Sequence, residues 1–533
     1  MKQIFAIILL VILMFSESIA QPAGEDPLTF QAKKFRYILE NAVKYHADSV
    51  DIEKVSNAAF SAMLKAMDKQ STYFSVADNI KRKENTDGKS VAIGIDFYVI
   101  RDTLLITEIE DESPAKKAGI LSGDRILFID GKKFLGKTRD EGMTALRGDT
   151  GTKVSLIVKR EGGNSLLEFE VQRKVLPLIG ISDAFLLPKS KVAYIKLTRF
   201  SENSYAEMEK SAKQLGQIEA LIFDLRDNAG GYIKSVQDIA GMFFGDSVLL
   251  TKTISRDSNF TFIKYTIPHS QFKDVPVVVL MNSNSASGSE MLAGAIQDYD
   301  RGLIIGDISY GKGSVQKTFE MVDSSAFKIT VADYCTPLGR PIENERFDKK
   351  TEIDEAMKVS MSKDSYDNIQ KTLAKYNFGK KMDVYKTKGG RNIIGGGAIF
   401  PDYFTKQDTL TDLTKFLKAR GIFLEYAFNY KRQNEKKILD EYGDDYDRFL
   451  KDYKLTDEMV KDFYTLAVAR NIWNNDMFIK DKPYILNYMK AMIAYTFWGT
   501  KAYNKILLNY DPLMAQAIKS LSEAKTMLQK LEK

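Results

Sequence analysis

Apolar positions divide the 533-residue chain into stretches of different period. Between residues 27 and 80 the spacing is helical. Phe35, Ile38, Leu39, Ala42 and Val43 share one face, and a second helix is predicted over about Asp51 to Met67, leading into Asp68-Lys69-Gln70-Ser71-Thr72-Tyr73-Phe74. From 90 to 174 the pattern turns to short strands: Val91 to Ile100, Leu104 to Ile109, Arg125 to Ile129 and Lys153 to Lys159. A short helix opens at Ser113-Pro114-Ala115 and stops at Gly119, Asp130-Gly131 signals a hairpin turn, and Thr138 to Leu146 reads as a helix. This stretch is a small αβ module. From Val192 onward strands and helices alternate. Strands are predicted over Val192–Leu197, Ala220–Leu225, Val277–Met281 and Leu303–Ile305, and helices over Ser204–Leu215, Tyr232–Phe244 and Ser289–Asp298. Continuous apolar strands between helices imply an α/β core with at least some parallel pairing. Asp348 to Lys388 is polar and weakly periodic, as a surface insertion would be. The remainder, from 404, is helical in pattern, with Leu413, Phe416 and Leu417, then Ile485, Tyr488, Met489 and Met492, at helical spacing. No internal repeat is found.

Length adds that roughly three or four domains are expected, since one hydrophobic core does not grow to this size. The first twenty residues stand apart. Lys2 precedes an uncharged apolar run from Phe5 to Phe15, and Ser18-Ile19-Ala20 places small residues where a signal peptidase reads. The run is short for a bilayer span. A cleaved signal peptide with mature protein from about Gln21 is the expectation, and an uncleaved anchor is the alternative. No Cys follows the cleavage position, which argues against a lipoprotein. Cys335 is the only cysteine, so no intrachain disulfide forms and an exported chain must rely on its cores. The net charge of +6 is modest and no basic cluster points to nucleic acid. Of the two histidines, His46 lies in the helical N-terminal stretch and His269 in Pro268-His269-Ser270, neither with a metal-site partner at helical spacing.

Three segments carry chemistry. In the first, the buried strand Val277–Met281 ends, four alternating serines follow, and a helix begins after Ser287-Gly288. A nucleophile there gains from the helix dipole and from free backbone N–H groups. The spacing of Ser287 and Glu290 is equally that of a helix-capping box. In the second, Gly311-Lys312-Gly313-Ser314-Val315-Gln316 leaves a lysine sterically open between glycines. Gly306 to Lys312 fits the first seven positions of a phosphate-binding loop. Gly313 stands where Ser or Thr must hold magnesium, however, and Val315 to Met321 alternates like a strand where a helix is needed. A surface lysine in a hairpin is the plainer alternative. A lysine acts as base only when neutral, so burial must lower its pKa, and Gln316 could orient the amine without adding charge. In the third, Ala220 to Leu225 runs through Arg226-Asp227-Asn228-Ala229 into Gly230-Gly231. Exposed N–H groups at such a strand-to-helix turn could bind an oxyanion or could simply make a tight turn.

Taken in order, Asp224-Leu225-Arg226-Asp227-Asn228-Ala229-Gly230-Gly231, Ser285-Ala286-Ser287-Gly288-Ser289-Glu290 and Gly311-Lys312-Gly313-Ser314-Val315-Gln316 resemble the motifs of the C-terminal processing peptidases, or tail-specific proteases. Asp68 to Phe74, Thr336-Pro337-Leu338-Gly339-Arg340-Pro341-Ile342 and Gly397 to Asp402 resemble further stretches of the family, and residues 90 to 174 resemble its PDZ domain. The likeness covers roughly residues 55 to 345. Asp227 and Ala229 replace a frequent Gly and Pro, Gly288 replaces a common Ala, and Ala92-Ile93-Gly94-Ile95 replaces a Gly-rich carboxylate-binding turn.

The resemblance implies a multidomain α/β fold: an α/β (ClpP/crotonase-like) serine peptidase core with an inserted PDZ domain and helical N- and C-terminal regions. The expected layout is a signal peptide over 1–20, a helical region over 21–84, the PDZ domain over 85–175 and the peptidase core over 176–345. A polar insertion follows over 346–395, then a return segment of the core over 396–403 and a C-terminal helical domain over 404–533. It implies Ser287 as nucleophile, Lys312 as general base and Gln316 as its support, with an oxyanion hole from Gly230 or Gly231 and Gly288. It also implies capture of a peptide carboxylate by backbone N–H groups near Ile93, Gly94 and Ile95. The expected activity is hydrolysis of peptide bonds in exported, most simply periplasmic, protein substrates recognised by their C-terminal tails, with no metal, cofactor or nucleic acid. The helical tail is the candidate surface for self-association or an adaptor. Two alternatives stay open: a catalytically silent or latent PDZ peptide-binding scaffold, and a hydrolase that uses His269 as base, which the lack of a G-x-S-x-G elbow around Ser287 disfavours.

Overall fold

The computed structural model of the protein describes residues 26–163, 165–343, 384–395, 397–405 and 410–531. The expected signal peptide and most of the 346–395 insertion lie outside the described residues. The chain divides into two compact units, Met1–Asn79 with Gln316–Thr330, and Ile80–Val315 with Val331–Lys533.

In the first unit, Asp26 and Asp51 cap the helices Pro27–Tyr45 and Ile52–Lys65 by accepting backbone N–H groups of the first turn. The stretch to residue 80 is not helical throughout. Asp68 accepts the N–H groups of Gln70 and Ser71 and the Ser71 hydroxyl (2.7, 2.6 and 2.6 Å), which turns the chain. Thr72–Phe74 then pairs antiparallel with Ala326–Lys328. Helical periodicity could not show this, because the partner strand lies some 250 residues away (326 − 74 = 252).

The centre of the second unit is a six-stranded sheet. Its order is Ile181–Leu186, Val192–Leu197, Ala220–Asp224, Val277–Met281, Gly302–Gly306 and Tyr403–Phe404, parallel throughout except for the first pair. The central strands are apolar without a break because both faces are covered. Leu221, Phe223, Val277, Val279 and Ile304 pack with the helices Ile233–Phe244 and Gly288–Asp298. Ile222, Val278, Leu280, Leu303 and Ile305 meet Leu513, Met514, Ala517, Ala524 and Met527 of the final helix, Pro512–Leu531. The C-terminal helix is thus the second layer of the α/β core.

The αβ module is an antiparallel sheet ordered Ile95–Ile100, Thr103–Ile109, Arg125–Ile129, Lys153–Lys159 and Leu166–Gln172. Its core includes Phe97, Leu104, Ile126, Leu156 and Val171, and Thr138 caps the helix Arg139–Leu146. The region after 410 is helical. Its long helix, Asn475–Leu508, breaks at Gly499 (φ 72°, ψ −165°), where Glu108 of the module accepts the N–H and hydroxyl of Thr500 (3.4 and 2.5 Å). Ile100 and Leu105 of the module are buried within the helical domain's own core.

Replacing Leu513 by Ala removes a side chain only 2 % exposed from the underside of the sheet. The expected cost is about 2–4 kcal/mol, read as a lower midpoint in urea or thermal unfolding.

Candidate active site

The strand Val277–Met281 ends beneath a loop tied to its neighbour: Ser285 Oγ donates to Leu225 O (2.9 Å) and Ala286 N to Asn228 O (2.9 Å). The next residue, Ser287, has φ 56° and ψ −113° and is the N-cap of the buried helix Gly288–Asp298. A non-glycine residue in this region is strained by about 1–3 kcal/mol. The strand, sharp turn, serine and helix form an elbow-shaped backbone turn without a G-x-S-x-G sequence. The small residues come from elsewhere in the chain. A Cβ on Gly230, whose φ is +91°, would lie 2.6 Å from Gly288 N and 2.7 Å from Ser287 Cβ.

The Gly-Gly turn corrects one expectation. Gly230 is not a free oxyanion donor, because its N–H is given to Asn228 Oδ1 (2.8 Å). The buried Asn228 also donates to Leu197 O (2.9 Å), so the amide braces the turn. The N–H groups of Gly231 and Gly288 have no protein partner among the described residues. Asp227, in place of the family's frequent Gly, has φ 63° and accepts from Asn282 and Asn284 (both 2.9 Å). An Asp with local hydrogen bonds tolerates that backbone.

The lysine loop is joined to the elbow by Glu290. This fully buried carboxylate accepts four bonds: Ser287 N (2.8 Å), Lys312 N (2.9 Å), Gly311 N (2.7 Å) and Ser309 Oγ (2.5 Å). Burial pushes its pKa up to about 7 against the pull of these donors. The capping box weighed for Ser287 and Glu290 is present, with Glu290 accepting the Ser287 N–H (2.8 Å). The N–H groups that a phosphate-binding loop would offer are spent on Glu290, and the chain after Lys312 enters the strand Ser314–Glu320.

Burial lowers the pKa of the Lys312 amine, opposed by Glu290 and Glu343. Glu343 also accepts the N–H of Gly313 (2.8 Å), and a Cβ on Gly313 would lie 2.0 Å from Glu343 N, so only glycine fits there. Among the described residues no hydrogen bond joins the Lys312 amine to the Ser287 hydroxyl. Gln316 lies on the strand that leaves the loop and is half-buried.

Sequence reasoning missed Tyr334. This buried side chain donates its hydroxyl to Lys312 O, its N–H bonds Gly313 O (2.6 Å), and the Ser287 side chain adjoins its oxygen. Its place just before the Thr336-Pro337 motif was the available signal, but a tyrosine in an apolar strand reads as core. His269 is engaged elsewhere: one ring nitrogen meets the Tyr205 hydroxyl (3.0 Å) and the other Asp238 (3.4 Å). His46 is exposed and bonded to the backbone of Asp48 (3.1 Å). In the PDZ module, Ile93 and Gly94 are buried, Gly94 has φ +80°, and a Cβ there would lie 2.3 Å from Ser113 Cβ.

Residues 191–353 match the family model of peptidase family S41, residues 91–171 that of the PDZ domain, and residues 401–499 a family of unknown function. The Carboxy-terminal-processing protease of Bartonella bacilliformis is 28% identical over 59% of this chain and 73% of its own length. Carboxy-terminal processing protease CtpB of Bacillus subtilis is 27% identical over 75% of this chain and 84% of its own. The Carboxyl-terminal-processing protease of Synechocystis sp. is 34% identical over 47% and 60%. Among solved structures, the photosystem II D1 C-terminal processing protease aligns over 59% of this chain and 84% of its own, with 23% identity and a TM-score of 0.34. The class is a multidomain serine-type peptidase with a PDZ domain. Within that class, the curated relatives that the chain matches over most of their length are named carboxy-terminal processing proteases.

The strained backbone at Ser287 gives a test independent of activity. Ser287→Gly should raise stability by about 1 kcal/mol, seen as a higher unfolding midpoint, whereas Ser287→Ala keeps the strain and should leave the midpoint near wild type.

Proposed function

We propose that the protein is an exported serine endopeptidase that hydrolyses peptide bonds in proteins recognised by their C-terminal tails, with Ser287 as nucleophile and Lys312 as general base. The observation that carries this reading is the pairing of a strained serine elbow with a desolvated lysine through one buried carboxylate, Glu290. Neutral Lys312 takes the Ser287 proton as the hydroxyl oxygen attacks the substrate carbonyl. The Gly231 and Gly288 N–H groups hold the oxyanion, and the lysine ammonium returns the proton to the leaving amine. Water then cleaves the acyl-enzyme with the same base. Gln316 supports the amine. The PDZ turn at Ile93–Ile95 takes the tail carboxylate, in keeping with the buried glycine turn there. Export is supported by Lys2, the apolar run to Phe15 and the small residues through Ala20. Among the described residues no helix is long and apolar enough to cross a membrane.

The Ser287 side chain adjoining the Tyr334 oxygen favours a second, related reading: a latent resting state that peptide binding completes. Catalytic hydrogen bonds often tighten only on binding.

The test is cleavage of an unfolded protein with an apolar C-terminus by the mature chain. Ser287→Ala and Lys312→Met should each lose about a thousandfold or more in rate. Lys312→Met should keep or raise the unfolding midpoint, because an apolar chain replaces a desolvated amine. Equal cleavage by all three would overturn the dyad. Binding without cleavage by wild type would leave the latent or scaffold reading.

Activity should rise with pH, for two reasons of the same sign. The base works deprotonated, and its pKa lies below 10.5. Glu290, which accepts four donors only as a carboxylate, ionises above about 7. A pH–rate profile falling toward acid checks this, and a flat profile from pH 5 to 9 contradicts it.

Tyr334 is a positioning residue for the base. Tyr334→Phe keeps the ring and removes the bond to Lys312 O. It should lower kcat about tenfold and leave KM and the unfolding midpoint nearly unchanged. A KM effect alone would assign the hydroxyl elsewhere.

A further inference from the structure

The strand Ile95–Ile100 is the outer edge of the PDZ sheet. Because Glu110 N–H donates to Gly94 O (3.0 Å), the Ile95–Ile109 pair is of the non-hydrogen-bonded kind, and the Ile95 N–H and C=O face the open edge. The Phe97 carbonyl is bonded by Arg139 of the flanking helix, so it too is turned to the groove. A tail whose carboxylate sits at the Ile93–Ile95 turn has its last residue at the start of this strand. Its upstream residues therefore run toward Ile100. Six strand residues carry it about 20 Å.

At that point the strand turns through Arg101 and Asp102 (φ 52° and 61°). Beyond lies a cavity of about 1160 Å³, with Val99 and Arg101 on the PDZ side and Leu413, Phe416, Trp473 and Met477 on the helical side. Phe416 is 58% exposed, although Leu413 and Leu417 of the same helix are 4% and 0% exposed. The carboxylate of Glu425 in the cavity wall is paired with Arg470 (2.6 Å) and with Arg101, and Asp102, Asp412, Arg420, Asn471 and Asn474 line the cavity beside its aromatic and aliphatic side chains.

We propose that this cavity is a second recognition subsite for the same substrate tail. It takes one or two large apolar side chains about six to nine residues upstream of the terminal carboxylate. The proposal rests on the reading of the PDZ edge as the tail-binding site, and it gives the helical domain a part in substrate selection.

The test uses the full mature chain bearing Ser287→Ala, so that peptides stay intact, and fluorescence anisotropy with labelled peptides. One peptide has about five residues and an apolar C-terminus. A second of about fourteen residues adds Trp and Leu in the upstream window, a third has Ser there, and each is also made as the C-terminal amide. The apolar long peptide should bind about tenfold or more tighter than the short one and the Ser version. Adding Phe416→Ala should remove that gain and leave the short peptide unchanged, which also shows that the variant folds. If the long peptides bind alike, or if the gain survives Phe416→Ala, the subsite is overturned while the PDZ reading stands. If binding of the short peptide does not depend on a free carboxylate, the PDZ reading fails and the subsite with it.

Discussion

The geometry of the site depends on one buried carboxylate. Glu290 sits in the first turn of the helix behind Ser287 and accepts N–H groups from both the elbow and the lysine loop. Without it, two segments 25 residues apart (312 − 287 = 25) would each leave backbone donors buried and unsatisfied, at about 1–3 kcal/mol per group. With it, the Ser287 backbone and the Lys312 backbone answer to the same oxygen pair. Tyr334 closes the arrangement from the other side by holding the Lys312 carbonyl. A desolvated amine and a serine in a strained conformation both cost stability. A rigid hydrogen-bonded frame keeps them in place.

The motif residues divide into those with a proposed part in the reaction and those that hold the frame. Asp224 and Arg226 belong to the second group. Asp224 accepts from Tyr194 (2.7 Å) and pairs with Arg226 (2.6 Å), and Arg226 pairs with Asp511 (2.5 Å). Asp511 also accepts the N–H of Leu513 at the start of the last helix (2.9 Å). The end of the strand that leads to the Gly-Gly turn is thereby bound to the helix that covers the sheet's second face. A buried ionic network of this kind gives little net stability, but it is costly to break, because removing one member leaves the others charged and unpaired.

The helical domain does more than extend the chain. It shares a core with the PDZ module through Ile100 and Leu105. It receives Glu108 at the Gly499 break, where a side chain on residue 499 would meet that carboxylate at 2.9 Å. Its last helix completes the peptidase sheet. Module and core are thus joined through one packed domain as well as through the chain that links them.

Much of this was legible in the order of residues. Continuous apolar runs such as Val277–Met281 gave buried parallel strands, because a strand covered on both faces has no polar period. Asp130-Gly131 gave a turn, because aspartate and glycine tolerate positive φ. The order of Ser287, Lys312 and the Gly-Gly turn pointed to acyl-transfer chemistry. The strand at Thr72–Phe74 was not legible, because its partner is remote in sequence. Nor was the spent N–H of Gly230, the bond from Tyr334 to the lysine carbonyl, or the elbow formed without its usual sequence. Sequence alone determines local backbone preference, burial period and the supply of reactive groups, since each depends on a residue and its near neighbours. Which N–H groups stay free, whether a lysine loses its water and what covers the far side of a sheet are decided only by tertiary structure, because each depends on segments that folding alone brings together.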